Sequence, residues 1–334
     1  MNKINQNCLA DSFNRRVTYL RLSVTDRCNL NCCYCAPSRP KLVPLDGLMS
    51  FEEMFRAVNI GVGLGITKVR LTGGEPLCRQ DITSFVAQLC RIPQIKDVGL
   101  TTNGVRLEQM PAGLKQAGMK RINISLDTLD AAKFERITGK NRWNEVWNGI
   151  MAAHELGFAP IKINTVVMKG VNDDEVLDLA RLTLKYPFHV RFIEYMPIGT
   201  DPRGAQGYFI SGKALRKRLL KEGELIPLVN RGENDGPARR FKFAGAPGEI
   251  GFISSMSDHF CDRCNRMRLT ARGFLRPCLL ADDQVDLGSK LRKGASDEIL
   301  QELFCRALSM KKGEHGLNFH DADALKTKMV SIGG

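Results

Sequence analysis

No apolar run in this 334-residue chain approaches the roughly 20 residues needed to span a bilayer. The first ten residues, Met1 to Ala10, contain no hydrophobic signal core either. A soluble, cytoplasmic protein without a membrane partner is therefore expected. Low-complexity tracts are absent, and so is any long-period repeat beyond an alternation of strand-like and helical stretches. Acidic residues are outnumbered, 36 against 49 basic ones, which leaves a net charge of +13. That excess suits a nucleic acid, an anionic surface or a polyphosphate, although most of the lysines are expected simply to face solvent. Cysteine, by contrast, is abundant. Eleven in a chain read as cytoplasmic point to metal or redox chemistry rather than to a disulfide framework.

A hydrophobic content of 43% is ample for a sizeable core, and the length allows one large α/β domain with a smaller appendage. Strand-like runs fall at 17–25, 67–72, 98–102, 121–126, 161–168 and 190–196, with helical patterns between them. Ser50 and Glu53 form a capping box ahead of Phe51, Met54, Phe55, Val58 and Val62, and Asn172 with Glu175 repeats that signal. Trp147, Ile150, Met151 and His154 share another helical face, which ends at Gly157. Successive β–α units predict parallel strands with right-handed crossovers. Their number falls short of a closed barrel, so the expected fold class is α/β, a partial (β/α)6 barrel with a smaller C-terminal domain. The expected division places the barrel in 1–240 and the smaller domain in 241–334. In such folds chemistry gathers at the C-terminal ends of the strands. Farther along, 197–207 reads as loop, 213–220 as a short basic helix, and 231–248 as a connector rich in glycine, proline and charge.

Cys28, Cys32 and Cys35 stand together just after the first strand, close enough in sequence for their thiolates to converge on one metal centre. Zinc prefers a closed set of four ligands, whereas iron–sulfur clusters are held by thiolates. Three local thiolates would leave one iron of a [4Fe–4S] cube open to an outside ligand. Gly73-Gly74-Glu75-Pro76 follows the second strand, where paired glycines leave backbone groups uncovered by side chains. A second set, Cys261, Cys264 and Cys278, again offers three thiolates and no evident fourth. Zinc completed by His259 or His315 is the competing assignment there. Arg266 and Arg268, one residue apart beside this set, would present two permanently charged forks to an anion.

The first cysteine set, with Tyr34 before its last member and the Gly-Gly-Glu-Pro turn one unit later, resembles the radical S-adenosylmethionine (SAM) enzymes. The resemblance implies that SAM chelates the open iron. It also implies that Tyr34, Gly74, Ser125 at the end of the fourth strand and Met196 at the end of the sixth line the SAM site. With the second set, its two arginines and the terminal Gly333-Gly334, the whole chain resembles the GTP 3′,8-cyclases, which begin molybdenum cofactor biosynthesis. That likeness implies SAM and two [4Fe–4S] clusters, the second of them binding the guanine ring. It implies a GTP site made by Arg21, Arg70, Thr101, Lys162, Arg266, Met267 and Arg268, although Lys162 stands near the start of its strand. It implies a tail in which Gly333 and Gly334 enter the active site and assist the radical step. An electron donor such as a flavodoxin or ferredoxin and a downstream cyclic pyranopterin synthase are implied as partners, nucleic acid is not, and a homodimer is compatible. Cys8, Cys33, Cys78, Cys90 and Cys305 fall outside the pattern and are expected to pack or face solvent.

Two other readings compete. A radical SAM enzyme acting on a peptide would typically carry more C-terminal cysteines. A basic, zinc-containing nucleic-acid-binding protein accounts for the charge and for Cys261-x-x-Cys264, but leaves the Gly-Gly-Glu turn and the β–α series unexplained.

Overall fold

Side chains on a strand alternate between its two faces, and that alternation organises this molecule. The structure, a computed structural model, describes residues 9–35, 44, 47–198, 202–229, 236–319, 325 and 327–333. The strands β1 (Tyr19–Ser23), β2 (Lys68–Thr72), β3 (Asp97–Thr102), β4 (Ile122–Ser125), β5 (Ile161–Val167) and β6 (His189–Glu194) lie side by side in that order, all parallel. Helices α1 (Phe51–Gly63), α2 (Ile82–Cys90), α3 (Pro111–Gln116), α4 (Ala131–Thr138), α5 (Trp143–Glu155) and α6 (Val176–Lys185) fill the crossovers.

The C-terminal part joins the same sheet at both edges. After β7 (Leu225–Leu228) and β8 (Arg239–Phe243), β9 (Glu249–Ile253) pairs parallel to β6. At the opposite edge β10 (Arg266–Leu269) pairs parallel to β1, and β11 (Phe274–Arg276) and β12 (Val285–Asp286) continue outward antiparallel. The order β12-β11-β10-β1-β2-β3-β4-β5-β6-β9-β8-β7 never closes on itself, so this is the expected open, partial barrel. β1 and β6 nevertheless line one cavity, which a flat sheet would not allow.

One face of the strands packs under the helices. Leu20, Leu22, Val69, Leu71, Met267 and Leu269 belong to the main core. Each such side chain contributes about 2 kcal/mol through the apolar area it removes from water. Ser50 caps α1 as expected: its Oγ accepts the Glu53 amide at 3.1 Å, while the Glu53 carboxylate accepts the Ser50 amide at 2.9 Å. Asn172 does not repeat the device. Its side chain makes no cap bond; instead Oδ1 accepts the Met168 amide and Nδ2 donates to the carbonyls of Asp127 and Val166. A buried amide with three partners across the ends of β4 and β5 is a tertiary tie that local spacing does not reveal. Within 197–207, residues Pro202–Gln206 are helical, and within 231–248 the chain forms β8. Met196 lies two residues beyond the end of β6 rather than at it.

Candidate active site

The inner strand face carries polar and charged residues where a doubly covered sheet would be apolar. Register places Arg268, Arg21 and Arg70 abreast on β10, β1 and β2, and beneath them Arg266, Tyr19 and Lys68. Farther round, Thr101 pairs with Asn123, Asn123 with Lys162, and Ser125 with Asn164, which faces Arg191 on β6. Each strand of a barrel is shifted along its neighbour. Lys162, second in β5, therefore stands level with Thr101 near the end of β3. All of these side chains line one cavity of about 320 Å³.

Burying so many cations together disfavours their charged forms. Burial, reinforced by Arg191 and Arg121, depresses Lys162 from 10.5 to about 5. Burial likewise lowers Lys68 to about 7 and Arg191 to about 10. Burial would raise the Tyr19 phenol, but Arg70, Arg21 and Lys68 overcome it and draw it down to about 7. Thr101 Oγ1, Asn123 Oδ1 and Asn164 Oδ1 are buried without hydrogen-bond partners, and all three residues face the cavity. The unpaired amide oxygens call for an occupant with N–H or O–H donors, and the cation cluster for one that also carries negative charge.

Both cysteine triads open onto the same cavity: Cys28, Cys32 and Cys35 on one side, Cys261, Cys264 and Cys278 on the other. The first is held from below and behind. Asn31 and Cys33 amides donate to the Thr138 and Ile137 carbonyls at the end of α4, and the Leu30 amide and Asn103 side chain reach the Cys28 sulfur at 3.4 and 3.7 Å. Gly73 (φ +145°) and Gly74 run against the strand that leads into this loop. A Cβ at either would collide with the Thr25 or Arg27 carbonyl, which instead accept the Gly74 and Glu75 amides, each at 2.7 Å. The glycines are thus needed for loop-on-loop contact as well as for any ligand. The Glu75 carboxylate takes bonds from the Leu77 amide, Thr102 Oγ1 and the Asn103 amide, and burial raises it to about 7.

Burial pushes Cys28 up to about 11 and Cys35 to about 12, and Asp127 adds to the effect at Cys35. At Cys264 burial is outweighed by Arg266 and Lys311, which hold the thiol down at about 7. Among the described residues no three His, Cys, Asp or Glu side chains are drawn together as ligands of a single ion. A zinc ion gathers all its ligands on one metal atom, whereas a cube carries each thiolate on a separate iron. His315 is occupied on both nitrogens: Nδ1 accepts the Leu317 amide at 3.0 Å, so Nε2 donates to the Ser255 carbonyl at 3.1 Å. It therefore offers no lone pair as a fourth ligand.

Residues 22–183 match the family model of the Radical SAM superfamily, and residues 188–317 match Molybdenum Cofactor Synthesis C. The GTP 3′,8-cyclase of Thermodesulfovibrio yellowstonii is 46% identical over 329 residues, covering 98% of this chain and 100% of that protein. That of Heliobacterium modesticaldum is 47% identical over 330 residues, with the same coverages. The chain belongs to the GTP 3′,8-cyclase family. In fold it is similar to Streptococcus suis SuiB bound to S-adenosylmethionine, with a TM-score of 0.62 at 14% identity over 87% of this chain and 69% of that one.

Of the positions that family resemblance suggests, Tyr34, Gly74, Ser125, Met196, Arg21, Arg70, Thr101, Lys162, Arg266 and Arg268 all line the cavity. Tyr34 donates to Asp127 at 2.7 Å, and burial lifts that carboxyl to about 6. Met267 does not line it. Odd and even residues of β10 face opposite ways, and Met267, 1% exposed, packs in the core opposite Leu20. Gly333 (φ +73°) is buried at the ends of β1 and β2, where a Cβ would strike Thr72, and its carbonyl accepts from Arg268. Gly334 and Cys8 lie outside the described residues. Lys68, Arg191, Asn123 and Asn164 are cavity residues that motif reading missed in this GTP 3′,8-cyclase family member. Their signal was available: Lys68-x-Arg70 and His189-x-Arg191 are polar residues at period two inside strands.

Proposed function

We propose that this chain converts GTP to (8S)-3′,8-cyclo-7,8-dihydroguanosine 5′-triphosphate, the opening step of molybdenum cofactor biosynthesis. The observation that carries this reading is a single cavity lined at once by two cysteine triads and by Arg21, Lys68, Arg70, Lys162, Arg191, Arg266 and Arg268. A nucleoside triphosphate supplies the anion those cations need, and paired arginines suit its phosphate oxygens.

In this reading residues 1–240 hold the SAM half and residues 241–334 the second-cluster half. Cys28, Cys32 and Cys35 would hold one [4Fe–4S] cluster, and that group with SAM would supply the one-electron chemistry that yields methionine and a 5′-deoxyadenosyl radical. Tyr34, Gly74, Ser125 and Met196 orient SAM toward the cavity. Cys261, Cys264 and Cys278 would hold a second cluster, which would bind the guanine. The cations would hold the triphosphate, and through it the ribose, so that C3′ can lose its hydrogen and bond to C8. Hydrogen transfer yields 5′-deoxyadenosine, the C3′ carbon adds to C8, and one further electron and a proton complete the dihydro product. The enclosing strands keep water from the radical, and Gly333, whose carbonyl accepts from Arg268, belongs to a tail that assists the radical step. A flavodoxin or ferredoxin in the cytoplasm supplies the electrons, and a cyclic pyranopterin synthase takes the product.

Anaerobic incubation of the iron-loaded chain with SAM, a reductant and GTP tests the reading. Equal loss of GTP and gain of cyclised nucleotide is expected, and 5′-deoxyadenosine forming with GTP left intact would refute it.

A further inference from the structure

Lys311 follows the helix Asp297–Ser309, outside both cysteine triads and outside the cavity lining. Its chain is 4% exposed, and the ammonium makes three contacts. It donates to Cys264 Sγ at 3.5 Å, to the Arg266 carbonyl at 3.0 Å and to the Pro277 carbonyl at 2.8 Å. These acceptors are a member of the second triad, a residue two positions past it, and the residue just before Cys278. Among the described residues no carboxylate pairs with Lys311, so the anion it meets is the Cys264 sulfur.

The other two sulfurs of the set receive neutral donors. The Leu280 amide reaches Cys278 Sγ at 3.3 Å, and the His315 amide lies against the Cys261 thiol. The segment bearing Lys311 is clamped from behind by Arg15, which is paired with Asp11 at 2.6 Å. Arg15 donates to the carbonyls of Lys312 and Gly313 at 2.7 and 3.0 Å, and to that of Cys261 at 2.6 Å. One buried arginine thus ties the backbone just after Lys311 to the triad that the Lys311 side chain touches.

We propose that Lys311 is a positioning residue of the second metal centre: its buried charge, bonded to the Cys264 sulfur, sets that centre's reduction potential. The inference rests on the two-cluster reading. Hydrogen bonds and positive charge at a cluster sulfur favour the reduced, more negative state, and so raise the potential. Among the described residues no cation bonds a sulfur of the first triad; the Cys28 sulfur is met by the Leu30 amide and the neutral Asn103 side chain.

The test is an EPR-monitored redox titration of the anaerobically reconstituted full chain as wild type, Lys311→Met, Lys311→Gln and Lys311→Arg. Adding SAM moves the signal of the centre that it chelates and lets the other be followed separately. Lys311→Met and Lys311→Gln should shift the second centre to more negative potential and leave the first where it was, while Lys311→Arg stays near wild type. Gln keeps N–H donors without the charge, which separates electrostatics from packing. Loss of the second centre in Met and Gln, with retention in Arg, would support the same assignment. Wild-type potentials in both neutral variants, or loss of the centre in all three, would overturn it with the two-cluster reading intact. A wild type showing one centre alone would remove that reading, and this inference with it.

Discussion

The two cysteine triads open onto one cavity and differ in the charges around their sulfurs. Cys28, Cys32 and Cys35 sit with Asp127 and Glu75, and burial pushes their thiols up. Cys264 sits with Arg266 and Lys311 and is held at about 7. The cavity is polarised: carboxylates flank the first triad, and a bank of cations reaches from the second triad to β6. A cationic ligand such as SAM suits the first pole, and a polyanion suits the second. Burial opposes ionisation of the first triad's thiols, whereas Arg266 and Lys311 favour the thiolate at Cys264.

The sharpest way to break this comparison is to remove each triad in turn. Serine at Cys28, Cys32 or Cys35 should abolish 5′-deoxyadenosine formation, because a hydroxyl is a poor replacement for a soft thiolate on iron. Serine at Cys261, Cys264 or Cys278 should leave some SAM cleavage while eliminating cyclised nucleotide. Equal loss of SAM cleavage in both groups, read by chromatography of the products, would erase the distinction.

A backbone change on one pole should come next in size. Gly74→Ala drives a Cβ into the Arg27 carbonyl and should destabilise the chain by ~2–4 kcal/mol in thermal unfolding. Gly63→Ala, where a Cβ meets nothing within 4 Å, should be neutral or stabilising. Similar melting of the two variants would show that the first triad's loop does not need its glycine contact. Where the tail meets the ends of β1 and β2, Gly333→Ala, or deletion of Gly333 and Gly334, should keep SAM cleavage and lower cyclisation. A full turnover rate in the truncated chain would make the tail's seat beside Thr72 and Arg268 irrelevant to chemistry.

Lys162 sharpens the picture of the cationic pole. Its ordinary value of 10.5 falls to about 5, so it is neutral at pH 7 in the nucleotide-free chain. A phosphate beside it favours the ammonium, so GTP binding takes up a proton, and affinity falls as pH rises. The limit is about tenfold per pH unit for one proton. Calorimetry in buffers of different ionisation enthalpy reads the uptake directly, and proton release instead would contradict it. The smallest effect is expected from Arg266→Lys or Arg268→Lys, which keeps charge but loses the bidentate fork and should weaken GTP binding by ~1 kcal/mol. Equilibrium dialysis showing unchanged affinity in both would take these two side chains off the nucleotide.

Much of this polarity was legible from sequence, and unevenly so. The six parallel strands, the Ser50 capping box and both triads depend on local spacing, and the structure has the strands and the cap where spacing puts them. Lys162 was obscure because its level in the barrel depends on the shift between strands, which no single strand encodes. Met267 was carried in with its arginine neighbours although strand alternation turns it to the core. Asn172 looked like a helix cap because its neighbours fit the pattern, while its partners lie on two other strand ends. Lys311 carries no motif at all: its meaning comes from a fold that lays residue 311 against Cys264 and Pro277.

The central claim is that the triads are separate metal centres, and iron stoichiometry tests it most directly. Anaerobically reconstituted wild type should hold about eight irons per chain, and a chain with serine at Cys261, Cys264 and Cys278 about four. About four irons in both, or zinc in place of iron at the second set, would contradict the account.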